Sequence, residues 1–296
     1  MTIKHVTVLG AGVLGAQIAY QIAYSGFDVV SYDINDEALA SAAKRFDKIR
    51  ETYAQNLKDA SNDKLEQTKG HLSQSKDLAE AVSKADLVIE AVPENIELKR
   101  KIWQKVGENA PKTAIFTTNT STLLPSSFAD SSGDASRFLA YHFANDIWKR
   151  RVVEVMGTAK TDPKYVEAVE QFAKDMGMKP VVIKKEQPGY ILNSLLVPFL
   201  EAASKLYGGG IAEPRDVDAV WKEATGSVAG PFEIMDTVGL RTVYEIHSRK
   251  AEATGDEDER NFTKRLQEEY IDKGKMGKET NSGFYDYDEN GNIRNS

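Results

Sequence analysis

Leu9-Gly10-Ala11-Gly12-Val13-Leu14-Gly15 follows the apolar run Val6, Val8, Leu9 and opens a stretch of helical periodicity. A strand running into G-x-G-x-x-G lets Gly10 make a tight turn and keeps Gly12 bare, so that backbone can approach a pyrophosphate. Gly15 lets the following helix pack against the sheet. The amides and dipole at that helix's N-terminus then hold the phosphates. Leu14, Ile18 and Ile22 recur on one helical face, Gly26 sits where a C-terminal cap belongs, and residues 28–32 read as the next strand. Asp33 ends it, 21 residues after Gly12, close to the spacing at which a carboxylate accepts from the adenosine ribose hydroxyls. A 2′-phosphate would be repelled there and no arginine follows directly, so NAD is the expected cofactor and NADP the poorer fit. The alternative is that Asp33 only caps the helix starting near Asp36.

At 296 residues the chain is long enough for two domains with ample core. A net charge of −7 and the lack of a dense Lys/Arg cluster with interleaved aromatics argue against nucleic-acid binding. The absence of cysteine excludes disulfides, thiolate catalysis and Cys-type metal centres, and no metal site is expected. No apolar run reaches the length of a membrane helix; the best, residues 191–200, is broken by Asn193, Ser194 and Pro198. The first strand is expected within a few residues of Met1, which leaves no room for a signal peptide, and the expected location is cytoplasmic.

Beyond Asp33 the pattern predicts a helix over 36–57, a shorter one before residue 70, a strand near 71–75 and a helix over 77–84. That excursion is longer than a plain crossover needs. Strands follow at 86–92, 114–118, 138–141, 152–156 and 179–184, with helices from 96 to about 106 and over 161–176. In an open parallel sheet the strand ends carry Ala91 to Glu94, Asn119 to Thr122 and His142 to Asn145 to the carboxyl edge, where a ligand lies. At Pro188-Gly189 the alternation stops and the rest reads as helical: a strongly apolar helix over 190–207, fit for a core or an interface, then helices over 214–224, 231–249 and 256–273. The expected fold is a Rossmann-type doubly wound, mostly parallel α/β sheet followed by an all-α domain. Its boundaries are 1–187, with a helical projection at about 36–70, and 188–296.

Four histidines are present. His5, His71 and His247 lack chemical company in their neighbourhoods and read as structural or surface residues. His142 sits at a strand end on the ligand side, and Glu154 comes to the same edge on the next strand. Oxidising a secondary alcohol needs a base near neutral pKa, and an adjacent carboxylate fixes the imidazole tautomer and stabilises the imidazolium. From spacing alone, a core histidine beside a capping glutamate remains the alternative.

Gly10-Ala11-Gly12-Val13-Leu14-Gly15, Asp86-Leu87-Val88-Ile89-Glu90-Ala91-Val92-Pro93-Glu94, Asn119-Thr120-Ser121, His142-Phe143, Val153-Glu154-Val155 and Pro188-Gly189-Tyr190-Ile191-Leu192-Asn193 stand in the order and spacing of one family. The chain resembles the L-3-hydroxyacyl-CoA dehydrogenases, including their 3-hydroxybutyryl-CoA members. The likeness runs from residue 3 to about 288. It takes in Gly230-Pro231-Phe232, Asp236-Thr237-Val238-Gly239-Leu240 and Gly283-Phe284-Tyr285-Asp286-Tyr287. The resemblance implies NAD-dependent interconversion of a short-chain (S)-3-hydroxyacyl-CoA and its 3-keto form, in fatty acid metabolism. It also implies a homodimer formed through the helical domain, which shares the substrate cleft. It makes His142 the base, Glu154 its orienting partner, Ser121 a hydrogen-bonding residue at the substrate oxygen and nicotinamide, and Asn193 a polariser of the substrate carbonyl. Glu94, Lys99, Asn119, Asn145 and Lys278 resemble cofactor contacts, alongside Gly10, Gly12, Val13, Leu14, Gly15, Asp33, Ala91 and Ser121. The projection resembles one that embraces CoA.

Two departures bear on the substrate. The family's His-Phe-Phe-Asn continues with a proline pair and Met-Lys. Here His142-Phe143-Ala144-Asn145 runs into Asp146-Ile147-Trp148-Lys149-Arg150-Arg151, which loses one aromatic wall, gains a bulky one and adds three cations able to pair with an anionic substrate. The lysines that relatives place on the projection fall at Thr52 and Asn56, with Lys48 and Lys58 nearby. Two alternatives therefore stay open: a dehydrogenase of a free small 3-hydroxy acid or sugar acid, as in gulonate dehydrogenases, and a NAD-binding protein without chemistry.

Overall fold

The computed structural model describes residues 2–289 and 291–294; residues 1, 290, 295 and 296, which the expected domain ranges include, lie outside them. The chain divides into two compact units, Met1–Ile191 and Leu192–Ser296. The strands of the first are β1 (His5–Leu9), β2 (Asp28–Tyr32), β3 (Leu72–Ser75), β4 (Leu87–Glu90), β5 (Ile115–Thr118), β6 (Phe138–Phe143), β7 (Val152–Gly157) and β8 (Lys179–Ile183). They form one sheet in the order β3-β2-β1-β4-β5-β6-β7-β8. Every neighbouring pair is parallel except β6 with β7. Its helices are α1 (Val13–Tyr24), α2 (Asp36–Asn56), α3 (Asn62–Gly70), α4 (Leu78–Val82), α5 (Ile96–Asn109) and α6 (Pro163–Asp175).

Alternate strand residues feed two separate cores. Val6, Val8, Leu87, Ile89 and Ile115 pack with α1, α2 and α6, whereas Leu9, Val88 and Phe116 pack with Trp103 and Val106 of α5. A strand covered on both faces has no polar side to show, so it reads as a near-continuous apolar run. This is the doubly wound sheet expected from the sequence.

The excursion after β2 is docked along one stripe only. Helix α2 buries Ala42, Phe46, Ile49 and Tyr53. The Tyr53 ring meets Tyr20 and Tyr24 of α1 edge-on at 5.0 and 4.9 Å, and its hydroxyl donates to Gln21 Oε1 at 2.6 Å. Burial pushes the Tyr53 phenol far above its ordinary pKa, so it stays a neutral donor. Trp148 leans on the same tyrosine with ring centroids 6.1 Å apart and packs into this core; the bulk read as a new substrate wall belongs partly to the packing under α2.

The second unit carries α7 (Tyr190–Gly208, which begins in the first unit), α8 (Pro214–Thr225), α9 (Pro231–Val238), α10 (Leu240–Thr254) and α11 (Glu257–Glu269). The helix expected over 231–249 is two, because Gly239 adopts a φ of 97° and breaks the chain between α9 and α10. The expectation of helix to the end also fails: beyond Gly277 the chain forms isolated bridges, Gly277 with Ser282 and Ser282 with Asp286. Two buried carboxylates organise these parts. Asp218 of α8 accepts the amides of Phe232 and Glu233 and the Tyr285 hydroxyl. Asp236 of α9 accepts the amides of Phe284 and Tyr285 and the Tyr287 hydroxyl. Gly230 and Gly283 approach these carboxylates so closely that a Cβ on either would lie 2.3 Å from Asp218 Cγ or 2.0 Å from Asp236 Oδ1.

The histidines read as lacking partners have them. His71 Nδ1 stands 2.7 Å from Asp28 Oδ1, His5 Nδ1 is 3.5 Å from Asp28 Oδ2, and buried His247 pairs with buried Glu259 at 2.6 Å, tying α10 to α11. Contacts between distant segments cannot be seen in a neighbourhood of sequence. Replacing Asp236 with Ala leaves two amides and a phenol without their acceptor, and a loss of about 3 kcal/mol or more is expected. A urea midpoint unchanged by Asp236→Ala would refute the role given to this carboxylate.

Candidate active site

The glycine turn closes at the carboxyl edge of β1. Gly10 has a φ of 93°, and a Cβ there would sit 2.7 Å from the Ala91 carbonyl oxygen. At Gly15 a Cβ would fall 1.9 Å from the Gly10 carbonyl oxygen and 3.4 Å from the Ala91 Cβ, so Gly15 makes room first of all for the turn itself. A Cβ on Gly12 would meet nothing within 4 Å, and Gly12 caps α1 without a side chain to accept from its first amides. Free amides at a helix N-terminus beside open space suit a pyrophosphate.

Asp33 sits at the end of β2, with Oδ2 accepting the Ala11 amide at 2.8 Å and Oδ1 the Ile34 amide at 2.8 Å. The helix that follows is capped by Asn35, whose side chain accepts from Ala38, so Asp33 is not its cap. Val13 and Ile34 flank the turn with 65% and 74% exposure, apolar surface of the kind a nucleobase covers. Arg45 of α2, which the sequence did not single out, donates to the Ala11 carbonyl at 3.3 Å. The residues present fit a dinucleotide.

Farther along the edge, the antiparallel pairing of β6 and β7 sets His142 directly opposite Glu154. His142 Nδ1 lies 3.0 Å from Glu154 Oε2, and His142 Nε2 lies 3.1 Å from Ser121 Oγ. Both His142 and Glu154 are buried, at 5% and 4% exposure. The other Glu154 oxygen accepts the Ile191 amide at 2.8 Å, and the Tyr190 ring lies flat over the imidazole. Asn119 Oδ1 accepts the Phe143 amide at 2.8 Å, which bridges the ends of β5 and β6.

Ser121 is held in place by Glu94. One Glu94 oxygen accepts from the Thr120 hydroxyl at 2.5 Å, the Ser121 amide at 3.0 Å, and the amide and hydroxyl of Thr122 at 2.8 and 2.9 Å. Burial opposes charge on Glu94, but these donors and the Lys99 ammonium outweigh it and hold the pKa to about 2. Lys99 itself is 1% exposed, 2.6 Å from Glu90 Oε1 and 3.3 Å from Glu94 Oε2. Its contact is with the acids under the edge. Glu90, fully buried in β4, also accepts from the Thr118 hydroxyl at 2.7 Å; a lone carboxylate in an apolar strand with a lysine nine residues on was the signal for this pair.

Of the remaining sequence candidates, Ala91 donates its amide to Leu9 at 2.7 Å, Leu14 is half-buried in α1, and Asn145 is exposed after β6. Asn193 and Lys278 belong to the second unit, Asn193 half-buried in α7 and Lys278 with its Nζ 5.2 Å from the Tyr287 ring centroid. Lys149, Arg150 and Arg151 are exposed between β6 and β7. No group of three metal-binding side chains occurs among the described residues, and no helix there is long and apolar enough to cross a membrane.

Since the folded pKa of Glu94 lies below the unfolded value of 4.5, its stabilisation is complete above about pH 4.5 and is lost as pH falls through about 2. Glu94→Gln should therefore lower stability by about 1–2 kcal/mol at pH 6, allowing for solvent screening. The deficit should close near pH 2 in thermal melts; one that persists unchanged there would contradict the assignment.

Residues 5–187 match the family described as 3-hydroxyacyl-CoA dehydrogenase, NAD binding domain, and residues 189–287 match 3-hydroxyacyl-CoA dehydrogenase, C-terminal domain. Human hydroxyacyl-coenzyme A dehydrogenase, mitochondrial, is 36% identical over 96% of this chain and 91% of its own length. A probable 3-hydroxybutyryl-CoA dehydrogenase of Bacillus subtilis is 32% identical over 98% and 99%. Among solved structures, a diketoreductase described by its dual catalysis of dicarbonyl compounds is 50% identical, with a TM-score of 0.91, over 97% of this chain and 100% of that one. Both halves of the chain thus match one enzyme family along almost their whole length, and the chain belongs to the 3-hydroxyacyl-CoA dehydrogenases, NAD-dependent oxidoreductases.

Proposed function

We propose that the chain interconverts a short-chain (S)-3-hydroxyacyl-CoA and its 3-ketoacyl form, with His142 as general base in oxidation and general acid in reduction. The observation that carries this reading is the hydrogen-bonded chain Ser121–His142–Glu154 at the carboxyl edge. NAD held at the glycine turn and Asp33 would supply the acceptor for the hydride that leaves C3 of the substrate. His142 Nε2 removes the hydroxyl proton, Ser121 Oγ orients the same oxygen, and Glu154 keeps Nδ1 protonated and supports the imidazolium. Asn193 polarises the substrate carbonyl in this scheme. Lys278, Asn119 and Asn145 serve the cofactor, Glu94 does so while holding Ser121, and Lys99 acts through Glu94.

A second reading, a reductase of 3-oxo compounds that carry no CoA, is favoured by one comparison and one local feature. The comparison is the 50% identity to a diketoreductase. The feature is on α2, where Thr52 donates its hydroxyl to the Lys48 carbonyl and Asn56 its amide to the Thr52 carbonyl, at the positions where relatives were expected to offer lysines to CoA. NADH-linked reduction of acetoacetyl-CoA, set beside that of a dicarbonyl compound that carries no CoA, separates the readings. A kcat/KM at least tenfold higher for the CoA-free compound transfers the assignment to the second. Under either reading His142→Gln should lower kcat by about 10²–10⁴-fold, and activity within tenfold of wild type would remove His142 as the base.

The proposal includes a homodimer through the helical unit. Its support is apolar surface left open there: Leu195, Ile211 and Val220 are 70%, 73% and 70% exposed, and Phe199, Leu206 and Trp221 line a groove beside them. Light scattering should give twice the chain mass of 32.8 kDa, and Leu195→Glu with Val220→Glu should halve it. A monomeric wild-type protein would exclude this arrangement.

A further inference from the structure

The turn that leads into α7 is bent in a way that an ordinary residue resists. Gly189 and Tyr190 both lie in the left-handed region, with φ of 78° and 57°. That region suits glycine and is unfavourable for a bulky side chain. Yet position 190 holds a tyrosine that is 1% exposed and packed against Ala140 and Met156. The bend places its ring parallel to the imidazole of His142, with centroids 4.3 Å apart and planes 12° from parallel. The same bend leaves the next amide, that of Ile191, on Glu154.

His142 is hydrogen-bonded at two points, Nδ1 to Glu154 and Nε2 to Ser121. Two contacts at opposite sides of a ring define an axis and leave the tilt about it free. A third, on the face of the ring, removes that freedom. A phenol face also carries negative quadrupole density and attracts a cation placed over it. The charged group directly facing His142 is Glu154; burial above all, with the charges of Glu94, Glu154, Glu90 and Glu186, keeps the Tyr190 hydroxyl protonated far above the ordinary range. The ring over His142 is a neutral phenol throughout any assay.

We propose that Tyr190 is a positioning residue for His142: it fixes the tilt of the imidazole about the Glu154–Ser121 axis and favours the imidazolium that forms when His142 holds the substrate proton. This rests on the assignment of His142 as the base. Tyr190→Phe, which keeps the ring, should stay within threefold of wild type in kcat. Tyr190→Leu and Tyr190→Met, the second a flexible filler should the first not fold, should each lose about 10–100-fold in kcat with the NADH dissociation constant unchanged within twofold. In both, the pH of half-maximal kcat/KM for oxidation should move down by about 0.4–1.5 units, the equivalent of one cation–π contact. A kcat within threefold of wild type, an unmoved pH midpoint, or an equal loss of NADH affinity overturns the proposal. His142→Gln, measured in parallel, separates the two claims. If it remains active, the base assignment falls and Tyr190's role with it; if it is inactive while Tyr190→Leu behaves as wild type, only the role of Tyr190 falls.

Discussion

The reversal of direction between β6 and β7 is the constraint on which the candidate site depends. Opposed residues in an antiparallel pair sit on the same face with their Cβ atoms about 5 Å apart, so His142 and Glu154 are brought together by register alone. A slip of one residue would send Glu154 to the other face. Strands β1 to β5 run parallel to β6 and deliver their ends, not their middles, to the same edge, whereas β8 runs with β7 the other way. The dyad thus comes from the one place in the sheet where two strand interiors can meet at its rim, and the neighbouring parts, Ser121 on its Glu94 anchor and the bend at Tyr190, are arranged around it.

Much of the first unit was legible because its signals are local. The glycine turn, the apolar runs and the caps lie within a few residues of what they determine, and a strand covered on both faces declares itself by lacking a polar side. The break at Gly239 was not legible. The pattern of Ile234, Met235, Val238, Leu240 and Val243 runs on at helical spacing, and glycine inside a helix is only mildly unfavourable. The interruption comes from tertiary contacts, with Leu240 donating its amide to the Met276 carbonyl. The ion pair of His247 with Glu259 hid for a related reason: the two lie on successive helices, and no strand pattern places them at a common edge as it does His142 and Glu154.

At the site, sequence identified residue types and the structure added their supports. Glu94 was read as a cofactor contact; in the fold it gathers the donors of residues 120–122 around one oxygen. Lys99, read the same way, is covered and paired. Tyr190 gave no sign of its place, because a tyrosine after Pro-Gly at the head of an apolar helix looks like core. Only the left-handed backbone reveals that the ring is turned back toward β6.

The helical unit has its own dependence on distant chain. Asp236 lies in α9, but the donors that fill its oxygens all come from residues 284–287, and Asp218 of α8 takes one of its three, the Tyr285 hydroxyl, from there too, whereas the last strand of the sheet ends at Ile183. A buried carboxylate without its donors is strongly unfavourable. During synthesis the last strand of the sheet is therefore complete about a hundred residues before the segment that supplies these donors, and a chain stopped short of residue 284 would carry every strand of the nucleotide fold while leaving Asp236 without any of the three.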